Sequence, residues 1–277
     1  MTGEAHRPIG VFDSGIGGLT VLRALIDELP HERFVYLGDT ARLPYGTKAA
    51  ETVARYSVQA ADALMEHGVK CIVVACNTAA SVGLESIRER LRPLPVIGVI
   101  DPGAEAACAT SRSGHIAVIA TERTVSGGAY QQAILARRPQ ARVSMLATQL
   151  LVALAEEGLS EGPIAESVAR HYLERLFGTA GADGASPDTL VLGCTHFPAL
   201  LEPIRRALAP GVRIVDSAAT TAQALRRELA ARELIAPHRG ATAVRFVATD
   251  GVERFARVGG RFLGRPIVPE EVELIDL

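Results

Sequence analysis

The chain has 277 residues and a mass of 29.3 kDa, which is enough for one large or two medium domains with a sizeable core. Hydrophobic residues make up 48%, and the 26 glycines and 15 prolines follow no repeat, which excludes a disordered or collagen-like chain. The 29 basic and 31 acidic residues give a net charge of -2. No excess positive field exists to attract nucleic acid or a membrane surface, so we expect neither partner.

The longest apolar runs, such as residues 71–76, are far shorter than the roughly 18 residues of a membrane span. Residues 1–8 are polar and lack the apolar stretch and cleavage site of a secretory signal, so a cytoplasmic location is expected. The four cysteines form no C-x-x-C pair, and a chain of this size needs no disulfides. We therefore expect reduced thiols at Cys71, Cys76, Cys108 and Cys194.

Short β-branched runs alternate with stretches of helical apolar spacing, which predicts βα units around mainly parallel sheets, the α/β class. Strands are predicted at 9–13, 34–37, 71–75, 96–100, 116–120, 143–146, 190–193 and 212–215. Helices are predicted at 19–29, 49–67, 126–137, 164–177 and 200–208. The Gly-, Ala- and Ser-rich segment at 178–187 is predicted to be a loop.

The two parts of the chain contain a weak internal repeat, in which an apolar strand ends in a small polar residue before a helix. IGVFDSG at 9–15 matches IAVIATE at 116–122, VVACNTAA at 73–80 matches VLGCTHFP at 191–198, and PVIGVIDPG at 95–103 resembles VRIVDSAA at 212–219. We interpret this as a duplication giving two pseudo-symmetric lobes, each a mainly parallel sheet flanked by helices. A cleft between the lobes would bring the two cysteine turns face to face.

These two cysteine turns carry the strongest functional signal. Cys76 follows a predicted strand and precedes a helix whose start is marked by Asn77 and Thr78, residues favoured at N-caps. Cys194 repeats the arrangement, with Thr195 as the candidate cap. We expect both thiols to be exposed at the carboxyl edge of a sheet, with a pKa lowered by the helix N-terminus.

The other cysteines fit the commoner role of a free thiol, which is that of a small buried hydrophobe. Cys71 lies within a predicted strand and Cys108 within an Ala-rich segment, so we assign both to structure. His196, two residues after Cys194, either assists that thiol or the ligand, or is an ordinary core or surface histidine.

Two further turns follow predicted strands. In FDSGIGGLT, Asp13 ends a strand, and Gly17 and Gly18 allow close approach of a ligand to the backbone. The turn lacks the lysine of a phosphate loop and the G-x-G-x-x-G spacing, so a nucleotide site is the less favoured interpretation, and Asp13 is either a site residue or a cap. In GDTARLPYG, Tyr45 and Gly46 either offer a phenol and backbone N–H groups to a small ligand or form an ordinary turn.

Two facing thiols restrict the chemistry. A Cys/His hydrolase needs one nucleophile and leaves the second cysteine without a role, and a zinc site would need Cys76, Cys194 and His196 to converge. Inversion of a tetrahedral carbon uses both thiols, because one removes a proton from one face while the other returns a proton on the opposite face. Pyridoxal phosphate would need a Schiff-base lysine, and neither Lys48 nor Lys70 has such a setting. We expect no cofactor and no metal.

The motifs FDSGIGGLTV, DTARLPYG, ACNTAAS and GCTHFP, in this order between about residues 9 and 217, resemble the glutamate racemases of the aspartate/glutamate racemase superfamily. The resemblance implies reversible conversion of L-glutamate to D-glutamate for bacterial peptidoglycan, without cofactor or metal, by a two-lobed protein that is often a homodimer. It also implies that residues 1–98 and 213–277 form the first lobe and residues 99–212 the second. The nearest alternatives are an aspartate racemase and a non-catalytic small-ligand-binding module.

The resemblance also assigns roles to residues. Cys76 and Cys194 correspond to the catalytic thiols that act on D- and L-glutamate, with Asp13 and His196 beside them and Glu156 supporting the histidine. Substrate contacts correspond to Asp13, Ser14, Tyr45, Gly46, Asn77, Thr78, Thr121, Thr195 and His196. This chain differs from the family pattern at Arg123, where glycine is usual, and at Ala153, where proline is usual.

Overall fold

A computed structural model describes residues 3–178, 186–237 and 242–277. Most of the loop predicted at 178–187 lies outside the described residues. The strands are β1 (Ile9–Asp13), β2 (Arg33–Gly38), β3 (Cys71–Val74), β4 (Val96–Gly98), β5 (His115–Ala120), β6 (Arg142–Ala147), β7 (Thr189–Gly193), β8 (Arg213–Asp216), β9 (Ala243–Ala248) and β10 (Val272–Leu274).

Helices follow most of the strands, as expected for βα units. They are α1 (Leu19–Glu28), α2 (Ala50–Glu66), α3 (Asn77–Val82), α4 (Leu84–Arg90), α5 (Ile100–Thr110), α6 (Glu122–Gly127), α7 (Ala129–Arg137), α8 (Gln149–Glu157), α9 (Gly162–Phe177), α10 (Leu201–Arg206), α11 (Ser217–Ala231) and α12 (Val252–Leu263). Short 3-10 helices occupy Gly3–His6, Thr40–Arg42, Tyr45–Thr47, Phe197–Leu200 and Pro269–Glu271. Within the described ranges, no helix combines the length and apolar character needed to cross a bilayer.

The strands form two parallel sheets. The first has the order β10-β9-β2-β1-β3-β4 and the second the order β6-β5-β7-β8, with parallel pairing throughout. The run β2-β1-β3-β4 and the whole second sheet have equivalent orders, so each strand of the sequence repeat occupies the position of its partner. Central strands β1 and β5 are buried along their whole length, as expected for sheets covered on both faces. The prediction of a two-lobed α/β fold is confirmed.

The predicted strands agree with the structure to within two residues at each end. The helix predicted at 126–137 is two helices, α6 and α7, because the chain turns at Gly128, whose φ of +66° is in the left-handed region that favours glycine. Helix α10 is shorter than predicted, because the preceding turn is the 3-10 helix Phe197–Leu200. Strands β9 and β10 add two strands to the edge of the first sheet.

Strand β8 belongs to the second sheet, because it pairs with β7, with Leu190 opposite Ile214, whereas a lobe boundary at residue 213 would place it in the first lobe. The helices that follow the equivalent strands β4 and β8 cross to the other lobe, since α5 packs on α7 and β7 and α11 packs on α1. We therefore propose residues 3–98, 217–237 and 242–277 as the first lobe and residues 99–178 and 186–216 as the second.

The carboxyl edges of the two sheets face each other. Contacts between the lobes occur where strands end: the Thr20 hydroxyl donates to the Thr195 carbonyl at 2.8 Å, and the Tyr130 hydroxyl donates to Asn77 Oδ1 at 2.7 Å. Because all strands within a sheet are parallel, every strand-to-helix turn opens at this edge. The fold thus directs the turns of both lobes into one cleft.

At the opposite end of the first sheet, a buried ion pair fixes the start of β3. Lys70 Nζ lies 2.6 Å from Glu32 Oε2, and these side chains are 1% and 2% exposed. The ammonium also donates to the carbonyls of Ala5 and Leu234, each at 2.8 Å. The charge is therefore fully hydrogen-bonded, which is the condition under which a buried pair is tolerated.

We expect Lys70→Met to lower the free energy of unfolding by about 3 to 5 kcal/mol, because Glu32 would remain buried without its cation. Urea denaturation at neutral pH measures this change. Lys48→Met is the matched control, because Lys48 is partly exposed, and we expect it to change the free energy by less than about 0.5 kcal/mol. Equal stability of the two variants would contradict the structural role of the pair.

Candidate active site

A small cavity of about 50 Å³ lies in the cleft, and both cysteine turns line it. Each lobe supplies about half of its wall. Eleven of the twelve site residues predicted from the sequence contribute: Ser14, Tyr45, Gly46, Cys76, Asn77, Thr78, Thr121, Glu156, Cys194, Thr195 and His196. The twelfth, Asp13, lies beneath the first glycine turn and is 1% exposed.

Cys76 is held at the N-terminus of α3. It is itself the N-cap residue, and its sulfur accepts a hydrogen bond from the Ala79 N–H at 3.4 Å. The thiol donates to Ser14 Oγ at 3.3 Å. The prediction that Asn77 or Thr78 caps this helix is therefore wrong, because the sulfur takes the capping position one residue earlier.

The predicted exposure and lowered pKa of Cys76 are also wrong. The residue is 5% exposed, and burial, followed by the negative charge of Asp13, raises the pKa of its thiol to about 12. The hydrogen bonds from Ser14 and the Ala79 N–H oppose this rise but are weaker. A helix N-terminus stabilises a thiolate only where loss of hydration does not outweigh it. In the free protein, Cys76 is thus a protonated thiol.

Asp13 organises the glycine turn. Its Oδ2 accepts the Gly15 N–H at 3.0 Å, whereas Oδ1 is buried without a hydrogen-bond partner among the described residues. Burial raises the pKa of Asp13. The N–H groups of the turn and the charge of His196 lower this pKa, but their effect is smaller. A Cβ on Gly17 would lie 2.5 Å from His196 and Thr195 atoms, and one on Gly18 would lie 2.5 Å from Asp13 Cβ. Gly17 therefore permits close packing between the lobes, and Gly18 permits close packing within the first lobe.

Cys194 is also 5% exposed, so its predicted exposure is wrong, but its surroundings differ from those of Cys76. Its sulfur lies 3.6 Å from His196 Nδ1, and His196 Nε2 lies 3.1 Å from Glu156 Oε1. Glu156 in turn accepts a hydrogen bond from Arg254. Sulfur, imidazole and carboxylate thus form a connected chain. The turn continues into a 3-10 helix whose N-cap is His196, with Pro198 in its first turn. The prediction that Thr195 is the cap is therefore wrong.

The charges of His196 and Glu156 stabilise each other. Burial disfavours the charged form of His196 and lowers its pKa. Hydrogen bonds with Cys194 and Glu156 outweigh the effect of burial and raise the pKa of His196 to about 10. The hydrogen bond with His196 lowers the pKa of Glu156 despite partial burial. At neutral pH an imidazolium therefore lies 3.6 Å from the Cys194 sulfur.

Hydroxyl and amide groups from both lobes meet beside the thiols. Thr78 Oγ1 lies 3.0 Å from Thr121 Oγ1 and 3.3 Å from Thr124 Oγ1. The Asn77 amide is oriented by the Tyr130 hydroxyl, and its Nδ2 is buried without a partner in the described part of the chain. An oriented donor with a free N–H group at the wall of the cavity is suited to binding a carboxylate.

The loop after β2 is fixed by Asp39, which is fully buried. Its carboxylate accepts hydrogen bonds from the Tyr45 hydroxyl, Arg42 and Thr249. The Tyr45 phenol predicted as a ligand contact is therefore bonded within the protein. A Cβ on Gly46 would lie 3.1 Å from Thr121 Cβ, so this loop closes against the second lobe.

Other residues of the cavity were not identified from the sequence. Leu43, Pro44, Gln149 and Val152 line its wall, and Phe262 packs edge-on against His196 with ring centroids 5.2 Å apart. Leu43 and Pro44 lie within a motif already singled out. Gln149, Val152 and Phe262 lie on amphipathic helices, and no motif in the sequence around them indicates a functional site.

The zinc interpretation of the two thiols has no geometric support. Across residues 3–178, 186–237 and 242–277, no group of three or more His, Cys, Asp or Glu side chains is arranged to hold a metal ion. All four cysteines are free. Cys71 is buried in β3 and Cys108 is partly buried in α5, as predicted for structural thiols.

Two lobes of equivalent topology, each placing a thiol in one cavity, define an α/β enzyme site of the amino-acid racemase class. The chain belongs to the Asp/Glu/Hydantoin racemase family, whose sequence model matches residues 9–225. It is 47% identical over 272 residues to a glutamate racemase of Neisseria meningitidis, covering 98% of this chain and 97% of that one.

Solved structures show the same similarity. A glutamate racemase of Francisella tularensis in complex with D-glutamate is 34% identical, with a TM-score of 0.88 and 98% of each chain covered. A glutamate racemase of Thermus thermophilus in complex with beta-chloro-D-alanine is 42% identical, with a TM-score of 0.86, 99% of this chain and 98% of that one covered.

We expect Asp13→Asn to accelerate alkylation of Cys76, because removing the carboxylate charge lowers the pKa of the thiol. Half to one pKa unit corresponds to roughly a three- to tenfold increase in thiolate. Iodoacetamide labelling at pH 8, followed peptide by peptide with mass spectrometry, measures the rate. Cys108 is the internal control and should label equally in both proteins. Unchanged labelling of Cys76 would show that Asp13 does not control its protonation.

Proposed function

We propose that the protein is a cofactor-independent glutamate racemase that interconverts L- and D-glutamate by proton transfer between two cysteines. The observation that carries the proposal is that Cys76 and Cys194, at equivalent turns of the two lobes, line one cavity. Relatives of this chain with 43% to 47% identity over nearly its whole length are named glutamate racemase, and D-glutamate is bound in the Francisella structure.

In the proposed reaction, the Cys194 thiolate removes the α-proton of L-glutamate, and the Cys76 thiol gives its proton to the opposite face of Cα. The product is D-glutamate, and the two sulfurs have exchanged protonation states. The reverse reaction starts from that exchanged state, so no oxidant, reductant or further reactant is needed. If each sulfur approaches Cα to about 3 to 3.5 Å, the two sulfurs lie about 6 to 7 Å apart.

The different surroundings of the two thiols support this direction of transfer. Cys76 has a pKa raised to about 12 and therefore carries the proton that the proposed reaction transfers to Cα. Cys194 lies 3.6 Å from an imidazole whose pKa is raised to about 10, so a cation lies beside the sulfur that removes the α-proton in this scheme.

Polar groups around the thiols are suited to holding the substrate. Ser14, Asn77, Thr78 and Thr195 would bind the α-carboxylate and amine, and Thr121, Tyr45 and Gly46 line the same cavity. Donors fixed before the reaction stabilise the carbanion-like transition state without reorganisation. The cavity is small, so the lobes must separate to admit glutamate.

The cellular setting follows from the same activity. We place the protein in the cytoplasm, where its four free thiols stay reduced, and assign it to the supply of D-glutamate for peptidoglycan. We also propose a homodimer.

We expect Cys76→Ser and Cys194→Ser each to reduce racemisation by at least about 100-fold, the contribution of a positioned acid or base. Circular dichroism of glutamate over time measures the rate. Cys108→Ser is the matched control and should be fully active. In heavy water, Cys76→Ser should exchange the α-hydrogen of L-glutamate and Cys194→Ser that of D-glutamate. Full activity of either active-site variant would exclude the two-base scheme.

Aspartate is the nearest competing substrate, since one methylene changes the binding free energy by only about 1 to 3 kcal/mol. The names of the relatives favour glutamate. We expect kcat/KM to be higher for glutamate than for aspartate by roughly 10-fold or more. A higher value for aspartate would assign the other substrate. Binding of both amino acids without loss of an α-deuterium would indicate a non-catalytic module.

A further inference from the structure

We propose that Arg254 is a positioning residue for proton transfer at Cys194, because it holds one oxygen of Glu156 while the other oxygen holds His196. Arg254 Nη2 lies 3.0 Å from Glu156 Oε2, and Glu156 Oε1 lies 3.1 Å from His196 Nε2. Each carboxylate oxygen thus has its own partner. With Arg254 in place, the carboxylate cannot rotate away from the histidine without losing a hydrogen bond.

Helix α12 contacts this group of residues at two further points. Phe262 packs edge-on against the His196 ring, at an interplanar angle of 82°, and fixes the plane of the imidazole. The Arg261 guanidinium packs against Gly158, at the C-terminus of α8, where an added Cβ would lie 2.1 Å from Nη1. Arg254, Arg261 and Phe262 therefore hold the imidazole and the helix that carries Glu156 from one side.

The ion pair crosses between the lobes. Arg254 belongs to α12, which packs on α1 and β10 of the first lobe, whereas Glu156 and His196 belong to the second lobe. Among the described residues, neither Arg254 nor Glu156 hydrogen-bonds to Cys76, although the charge of His196 acts on Asp13 beneath the Cys76 turn. Closure of the lobes would bring Arg254 to Glu156 and so complete the support of His196. A substitution at Arg254 should therefore affect proton transfer at Cys194 and not proton transfer at Cys76.

A purely structural role does not explain the pair well. The Arg254 side chain is 45% exposed and that of Glu156 is 22% exposed. Ion pairs at this level of exposure contribute little to folding. By contrast, support for a group that must remain aligned with a reacting atom affects the rate strongly, because small misplacements slow proton transfer.

The inference rests on the proposed racemase activity. The test compares Arg254→Gln, Arg254→Lys and the control Arg257→Gln, since Arg257 is an exposed residue of the same helix. We expect Arg254→Gln to lower kcat roughly tenfold with little change in KM, as for loss of alignment. Arg254→Lys should recover part of this loss, because an ammonium keeps the charge without the planar fork of arginine. Arg257→Gln should match the unmodified protein.

Primary isotope effects distinguish positioning from general damage. With Arg254→Gln, removal of the L-glutamate proton by Cys194 becomes more rate-limiting, so the isotope effect on kcat/KM should rise with α-deuterated L-glutamate. It should fall with α-deuterated D-glutamate, whose proton is removed by Cys76. Damage to the whole site would change both effects in the same way.

Two results would overturn the inference: kcat of Arg254→Gln equal to that of Arg257→Gln, or isotope effects that shift equally for the two enantiomers. Equal melting temperatures of the variants confirm that folding is intact. If the unmodified protein fails to racemise glutamate, the proposed function itself is wrong, and this result is separate from either outcome at Arg254.

Discussion

The site depends on the opposition of two parallel-sheet edges. In a parallel sheet every strand-to-helix turn opens at the carboxyl edge, and here the edges of two sheets with equivalent strand order face each other. Thr20 and Thr195 join the two edges by a hydrogen bond, and Gly17 permits the close contact because any side chain there would collide with His196. The position of each thiol therefore follows from the packing of the lobes.

Equivalent positions in the fold do not give equivalent chemistry. Cys76 lies near a buried carboxylate that disfavours its thiolate, whereas Cys194 lies beside an imidazole held by Glu156. The scaffold is pseudo-symmetric because its strands and turns repeat, but the side chains around the two sulfurs differ. In the proposed reaction, this difference assigns the role of acid to one thiol and the role of base to the other, so that two similar groups act in sequence on one carbon.

The sequence predicted the α/β class and the positions of β1 to β8, but not β9 or β10, because buried parallel strands are continuous apolar runs. It also predicted the pairing of the two cysteine turns, since both lie at the same place in a repeated unit. It failed for properties that depend on packing between distant segments. Burial of Cys76 and the approach of Asp13 reverse the pKa shift expected from the helix N-terminus. Likewise, Arg254 contacts Glu156 and Phe262 contacts His196 from a helix more than fifty residues further along the chain.

The central claim is that the two sulfurs flank the α-carbon of a bound amino acid. A crystal structure of the protein with D-glutamate tests it most directly, through the distances from Cα to the sulfurs of Cys76 and Cys194. The account predicts both sulfurs at about 3 to 4 Å from Cα, on opposite faces of the carbon. Either sulfur out of contact with the ligand, or both on the same face, would contradict it.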